Sequence, residues 1–235
     1  SPINFIAGCP PEKSKITIND LFVDTGMGEK EVKKFISVGD PIIRIGEFHE
    51  QGDIIFSKAL DNRVGCYVVG EVLKKLSKKN LNIDLYVLAS AQEEVGVRGA
   101  KLAAKNINPD IGIAVDVTAA LDVPGINPKD KVSELGQGVA IKISDYGSIT
   151  NQGIIDHFKK LANSLKIKHQ PEILPFGGTD AMGLQLLGKG AVGTLSVPTR
   201  YVHSATEMLH KKDLDACIKL LTSFVESADK VKLKF

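Results

Sequence analysis

Two nearly continuous apolar runs constrain the fold of this chain most: residues 83–91 (IDLYVLASA) and residues 111–117 (IGIAVDV). Runs of this length without regular polar alternation are typical of strands that are buried on both faces of a sheet. Further strands are predicted at 139–143, 172–174 and 190–197. Helical patterns are found at 61–76, 97–105, 151–165, 179–187 and 212–230. This alternation of strand and helix predicts an α/β sandwich with a mostly parallel sheet flanked by helices.

The first 56 residues have a different pattern. Short β segments (ITI, LFVDTG, PIIRIGEF and DIIFS) are separated by Gly and Pro, and only residues 29–36 look helical. This pattern predicts part of a small β domain. We therefore expect a domain boundary near residue 53, with residues 1–53 in the β domain and residues 54–235 in the α/β domain.

Composition and charge argue against several classes of partner. The 235 residues carry a net charge of +2, which is too weak a bias to favour nucleic acid. We interpret the lysine clusters as solvated surface. No apolar run approaches the ~18 residues that a membrane span requires. Three widely spaced cysteines without a CxxC pair favour a reducing compartment and argue against a structural thiolate zinc site.

Four acidic residues lie where predicted strands end or helices begin. Asp61 precedes a helix, Glu93 and Glu94 follow the first apolar run, and Asp116 ends the second. Ligands of open α/β sheets gather at the carboxyl ends of strands, and two adjacent carboxylates repel each other unless a cation lies near. Each acid also has an ordinary interpretation: a helix N-cap for Asp61, a solvated loop or first-turn pair for the glutamates, and a strand-end turn for Asp116.

Two loops near the C-terminus supply further candidates. His203 lies in PTRYVHSATE and is either a surface histidine or a metal ligand. The segment FGGTDA opens a helix, so Thr179 or Asp180 is a candidate N-cap. Gly177 and Gly178 could also let a substrate backbone approach closely, which makes all four residues candidates for substrate binding. The absence of GxGxxG, Walker A and GxSxG motifs disfavours dinucleotide enzymes, NTPases and serine hydrolases.

Five stretches together resemble the tetrahedral (TET) dinuclear-metal aminopeptidases, a family that also carries glutamyl aminopeptidase and endoglucanase labels. The stretches are SKALDNRVG, AQEEVGVRGA, AVDVT, FGGTDAMG and PTRYVHSATEML, which span residues 57–209. The segments DLFVDTGMGEKEV and VGD also resemble the end of that family's inserted β-barrel dimerisation domain. The resemblance implies a zinc-peptidase-like sheet, with a remnant of the insert in residues 1–53.

The resemblance also implies a role for each candidate in a site for two divalent metal ions. Asp61 would bridge the two ions, Glu94 and His203 would complete the first, and Asp116 would bind the second. Glu93 would be the general base that takes a proton from the attacking water and passes it to the leaving amine. Carboxylate and imidazole ligands suit zinc or cobalt, with manganese as a further option.

One motif of the family is missing from this sequence. The family carries a His-x-Asp motif on a strand before the insert, and its histidine binds the second metal; no His-x-Asp occurs here. The resemblance therefore implies that the chain begins inside the insert, that roughly a hundred upstream residues are missing, and that the second metal site is incomplete.

The implied function is a metal-dependent aminopeptidase that hydrolyses the N-terminal residue of short peptides. The resemblance further implies a cytoplasmic protein that assembles into dimers and a dodecamer. Two alternatives stay open. A glycoside hydrolase needs two carboxylates that face each other across a sugar bond, which adjacent glutamates do not obviously supply, and the chain has no Trp for sugar stacking. A non-catalytic fragment or assembly subunit would account for the missing histidine.

Overall fold

The computed structural model describes residues 21–235, and the chain divides into two compact units, Ser1–Ile43 and Arg44–Phe235. The helices are α1 (Glu29–Val32), α2 (Leu60–Leu76), α3 (Arg98–Ile107), α4 (Gln152–Ser164), α5 (Asp180–Leu187) and α6 (Lys211–Glu226). The strands are β1 (His49–Gln51), β2 (Ile54–Ser57), β3 (Ile111–Ala119), β4 (Val139–Ser144), β5 (His169–Ile173), β6 (Ala191–Arg200) and β7 (Glu207–His210). The predicted α/β class is confirmed. None of the helices formed by residues 21–235 is long and apolar enough to cross a membrane.

The described part of the first unit, residues 21–43, contains α1 as its one regular element. This helix is a single turn inside the predicted helix at 29–36. The strands expected in LFVDTG and PIIRIGEF are not formed, and apolar side chains such as Phe22 and Val38 are exposed. A strand needs a neighbour that buries one of its faces, and these segments have none among the described residues. The ITI segment lies outside the described residues.

The predicted boundary near residue 53 stays a prediction. Both strands of the first hairpin, β1 and β2, belong to the second unit. No closed barrel is seen among residues 21–235, so a remnant of a β-barrel domain also stays a prediction.

The seven strands of the second unit form one mixed sheet in the order β1-β2-β7-β6-β4-β5, and β3 pairs with β6. Leu195 of β6 is opposite Val115 of β3 and Ile141 of β4, so these two strands lie on opposite sides of β6. The two longest ladders, β3 with β6 and β4 with β5, are parallel. The carboxyl ends of β3 and β6 therefore meet at the same edge of the sheet.

Helices cover both faces of the sheet at β3 and β6. The main core contains Val117 and Leu195 together with the buried faces of α2, α4 and α6. On α2 this face is Leu60, Val64, Val68, Val72 and Leu76, at the four-residue spacing that places side chains on one side of a helix. Ala114 and Val192 lie on the opposite face of the sheet and pack against α5. Side chains of a strand alternate between faces, so Asp116 shares the α5 face with Ala114.

The buried strand predicted at residues 83–91 is not formed. Leu85, Tyr86, Val87 and Leu88 are between 39 and 66% exposed. A strand exists only as a member of a hydrogen-bonded ladder, and this segment has no ladder partner among residues 21–235. The prediction was wrong because an apolar run indicates what a segment could bury, whereas a neighbouring strand decides whether it does so.

Candidate metal centre

Asp61 lies at the N-terminal end of α2, but it does not cap the helix. The residue has non-helical backbone angles (φ −77°, ψ 111°), and the helix begins after Ala59, which is left-handed (φ 55°). The polar contacts at this end are made by Asn62 instead. Its Oδ1 accepts a hydrogen bond from the Gly65 backbone N–H, and its Nδ2 donates to the Val115 carbonyl, both at 2.9 Å. The Asp61 carboxylate is therefore left available for other partners.

Glu93 and Glu94 lie in the turn that leads into α3. The carbonyl of Glu93 accepts backbone hydrogen bonds from Gly96 and Val97, and α3 begins only at Arg98. The pair therefore precedes the first turn of the helix rather than forming it. Glu94 has a side chain that is 59% exposed, yet its carboxylate lies within ion-pair distance of His203.

His203 lies in the loop between β6 and β7 and has a left-handed backbone (φ 65°). Its Nε2 is 3.0 Å from Oδ2 of Asp61 and 3.3 Å from Oε2 of Glu94. The three ligand atoms all lie within 4.8 Å of one another. The structure thus brings together Asp61, Glu94 and His203, the three residues that the family resemblance assigns to the first metal.

These separations fit a bound divalent ion. Two N or O ligands at about 2.0–2.2 Å from a tetrahedral ion lie about 3.3–3.6 Å from each other, close to the two distances measured here. The Asp61 side chain is 12% exposed, whereas those of His203 and Glu94 are 66% and 59% exposed. The group is therefore most enclosed at the partly buried Asp61 carboxylate and open to solvent on the side of the other two residues.

The electrostatics of the group also fit a cation. Burial raises the pKa of Asp61 to about 6, and the charge of Glu94 adds to the shift. Burial likewise raises the pKa of Glu93 to about 7, with further contributions from the charges of Glu94 and Asp180. Several carboxylates at one place disfavour one another's charged form, and a divalent cation would relieve that repulsion.

Asp116 lies near the carboxyl end of β3 but outside the three-residue group. The residue is buried, and its Oδ1 accepts a hydrogen bond from the backbone N–H of Val117 at 2.8 Å. Burial raises the pKa of Asp116 well above its ordinary value, and the charge of Asp61 raises it further. A second metal ligand at Asp116 stays a prediction, although its carboxylate is electrostatically coupled to that of Asp61.

The glycine turn before α5 has a defined structural role. Thr179 is the N-cap of α5 and accepts a hydrogen bond from the Ala181 backbone N–H at 3.3 Å. Gly177 is left-handed (φ 70°), a conformation that favours glycine. Asp180 accepts a hydrogen bond from the Ser90 hydroxyl. Ser90 stands three positions before Glu93, so this hydrogen bond places the helix start near the loop that carries the two glutamates. Substrate binding by Gly177, Gly178, Thr179 and Asp180 stays a prediction.

Sequence reasoning missed two residues that make hydrogen bonds around the candidate ligands, Asn62 and Glu207. Asn62 stands in the quoted stretch SKALDNRVG, but its partner in β3 is 53 positions away. Glu207 is a buried acid in β7, a strand that the apolar pattern did not predict. The only sequence feature that pointed to Glu207 was the presence of a carboxylate in the otherwise largely apolar segment TEML.

The chain matches the family model described as M42 glutamyl aminopeptidase over residues 7–220. Among curated relatives, the glutamyl aminopeptidase of Lactococcus lactis is 34% identical over 221 residues, which cover 92% of this chain and 61% of that protein. The chain spans between 58 and 64% of the length of five curated relatives that it matches.

Solved structures show the same similarity. The aminopeptidase APDkam598 of the archaeon Desulfurococcus kamchatkensis has a TM-score of 0.88 at 37% identity, with 95% of this chain and 66% of that chain covered. The solved dodecamer of PhTET1-12s has a TM-score of 0.78 at 28% identity, with 92% and 65% covered.

Proposed function

Because the chain belongs to the M42 glutamyl aminopeptidase family, we propose that it acts in a metal-dependent aminopeptidase that removes the N-terminal residue from short peptides. One observation carries the proposal: Asp61, Glu94 and His203 come from three separate parts of the chain and place their ligand atoms within 4.8 Å of one another. Two carboxylates and an imidazole around an open face are a donor set suited to a catalytic metal.

Asp61, Glu94 and His203 would hold a first divalent ion, and Asp61 would share its carboxylate with a second ion held by Asp116. The donor set suits zinc or cobalt, with manganese as a further option. When bound, such ions polarise the scissile carbonyl and lower the pKa of water. The relief of repulsion among these carboxylates supports the assignment.

Glu93 is proposed as the general base. Its carboxylate has a pKa of about 7, so near neutral pH it can both accept a proton and return one. It would take a proton from the attacking water and deliver it to the amine that leaves when the peptide bond breaks. Glu94, its neighbour, faces His203 at 3.3 Å and so has a different task.

The glycine turn is proposed to bind the substrate. Asp180 at the start of α5 accepts a hydrogen bond from Ser90, three positions before Glu93. Apart from the chain neighbours of each glycine, no described atom lies closer than 3.9 Å to a Cβ built on Gly177 or Gly178. This open backbone would let the peptide pass close to the general base. The two glycines would thus contribute space, and Thr179 would keep the turn in place through its cap.

We also propose self-association into dimers and a dodecamer, on the ground that a similar solved structure is a dodecamer. A cytoplasmic location is proposed because few, widely spaced cysteines without a CxxC pair are typical of a reducing compartment. The glycoside hydrolase alternative is disfavoured by the site itself, because the acids converge on a histidine rather than facing each other across a cleft.

The test is metal content and peptide hydrolysis in the same preparation. Protein purified without chelators is analysed for zinc, cobalt and manganese, and then assayed on a panel of aminoacyl p-nitroanilides before and after EDTA. We expect bound metal and hydrolysis that EDTA abolishes and zinc or cobalt restores. Bound metal without hydrolysis would favour an assembly subunit, and the absence of both would overturn the proposal.

A further inference from the structure

Glu207 lies behind the proposed metal ligands, in β7, and is 2% exposed. Its Oε2 accepts a hydrogen bond from the backbone N–H of Asp61 at 3.0 Å. Its Oε1 accepts a hydrogen bond from the backbone N–H of His203 at 2.8 Å. One buried carboxylate therefore joins the start of α2 to the loop between β6 and β7, and does so through the two residues whose side chains meet 3.0 Å apart.

Both residues need such a support because neither has regular backbone angles. His203 has a left-handed backbone, which costs about 1–2 kcal/mol for a residue other than glycine. Asp61 interrupts the helical angles at the start of α2. Irregular conformations of this kind persist only where the surrounding structure over-determines them. The two hydrogen bonds of Glu207 act on these two backbones directly.

We propose that Glu207 is a positioning residue that sets the separation of Asp61 and His203 for a divalent cation. The inference rests on the proposed function, since it assumes that these two residues are metal ligands. Loss of a hydrogen-bond partner behind a metal ligand typically weakens metal affinity by 10- to 100-fold. A Gln at this position keeps the size of the side chain, but it turns one acceptor into an NH₂ group that faces a backbone N–H donor.

The opposing explanation is that Glu207 merely holds β7 in the sheet. Asp213 offers a matched control. It is a fully buried carboxylate on α6 that accepts hydrogen bonds from the backbone N–H groups of Gly136, at 2.6 Å, and Gly138, at 2.7 Å. The arrangement is the same as that of Glu207, but neither partner is a proposed metal ligand. Asp213→Asn therefore measures how the loss of one buried carboxylate–amide hydrogen bond affects the fold when no proposed metal ligand is involved.

Zinc affinity is measured by competition with a chromophoric chelator, at a temperature at which circular dichroism shows each variant folded. We expect Glu207→Gln to weaken zinc binding 10- to 100-fold and Asp213→Asn to leave it unchanged. Wild-type affinity in Glu207→Gln would overturn the inference, and so would an equal loss in both variants. If the wild-type chain binds no zinc, the proposed function fails and the inference fails with it.

A second measurement needs no metal. It distinguishes the positioning of the Asp61 and His203 backbones from a general attraction of the cation to the negative charge of Glu207. In the metal-free wild-type chain, amide hydrogen exchange should show protected N–H groups at Asp61 and His203. Both should lose protection in Glu207→Gln and keep it in Asp213→Asn. Rapid exchange of the two amides in the wild-type chain would overturn the inference even if Glu207→Gln did not fold.

Discussion

The candidate site places several carboxylates so close together that their charged forms are disfavoured in the absence of a cation. The pKa values of individual residues show this. Asp61, Glu93 and Asp116 all have a raised pKa, with burial as the largest cause in each case. Sequence reasoning identified these residues because each lies where a predicted strand ends or a predicted helix begins, in a stretch that resembles a known family. It could not identify Glu207 in the same way, because the importance of that residue depends on two amides brought to it by the fold.

Replacement of Glu93 by Gln should abolish catalysis without removing metal. General acid–base groups contribute about 10²- to 10⁴-fold to rate, so we expect kcat for aminoacyl p-nitroanilides to fall by that factor. Metal content, measured by elemental analysis, should stay normal because Glu93 is not among the three grouped ligands. Glu71→Gln, which changes an acid paired with Lys74 on α2, is the control and should retain full activity. Turnover preserved in Glu93→Gln would remove Glu93 from the role of base.

The same substitution should change how stability depends on pH. The folded chain raises the pKa of Glu93 from 4.5 to about 7, so between these values the folded state holds a proton that the unfolded state releases. Stability from this residue is therefore present at low pH and lost as pH rises through about 7. In metal-free protein, Glu93→Gln should match the wild type below about pH 4.5, and it should melt at a higher temperature than the wild type at pH 8. A difference in melting temperature that does not vary with pH would contradict the raised pKa.

Among the helices and strands, the sequence predicted helix α2 but did not predict the contact that joins its first turn to β3. The helical pattern predicted residues 61–76, and the helix is Leu60–Leu76. The hydrogen bond from Asn62 to Val115 connects this helix to β3, and no periodicity within either segment indicates it. The apolar run at residues 83–91 shows the reverse case, since a strong local pattern produced no strand.

Two glycines of α2 test the contact between this helix and β3. A Cβ on Gly65 would lie 2.3 Å from Oδ1 of Asn62 and 2.6 Å from the Val115 carbonyl oxygen. Gly65→Ala should therefore lower the free energy of unfolding by about 1–3 kcal/mol, as overpacking does. Gly70→Ala is the control, because beyond its chain neighbours and the backbone of its own helix no described atom lies within 4 Å of this Cβ, and it should raise stability by about 0.5–1 kcal/mol. Urea denaturation measures both, and equal effects would contradict the proposed close approach.

At the scale of the whole molecule, the site is assembled by the sheet and the loops around it. Asp61 lies at the start of α2, Glu94 precedes α3, and His203 follows β6. A ligand that bridges these three regions binds the folded chain and cannot find the same arrangement in the unfolded one. Metal binding should therefore stabilise the entire second unit rather than one loop.

Metal removal should accordingly lower the melting temperature of the whole chain. Free zinc at 100 times its dissociation constant stabilises the fold by about 2.7 kcal/mol, which corresponds to about 5–10 °C in a domain of this size. We expect scanning calorimetry to show this difference between zinc-loaded and EDTA-treated protein. His203→Ala should abolish the difference, whereas His157→Ala, which changes a histidine on α4 outside the group, should not. A zinc-dependent shift that survives in His203→Ala would place the metal elsewhere.

The sequence by itself determined the α/β class, the positions of most helices and strands in residues 54–235, and the acids and histidine that the fold brings together. Apolar periodicity predicted the elements, and the resemblance of five short stretches to a known family singled out the acids and the histidine; both are local properties of a chain. The tertiary structure alone decided that residues 83–91 remain outside the sheet, that Asn62 rather than Asp61 makes the polar contacts at the start of α2, and that Glu207 lies behind two ligands. Each of these depends on a partner distant in sequence, and hydrogen bonds between such residues are defined only once the chain has folded.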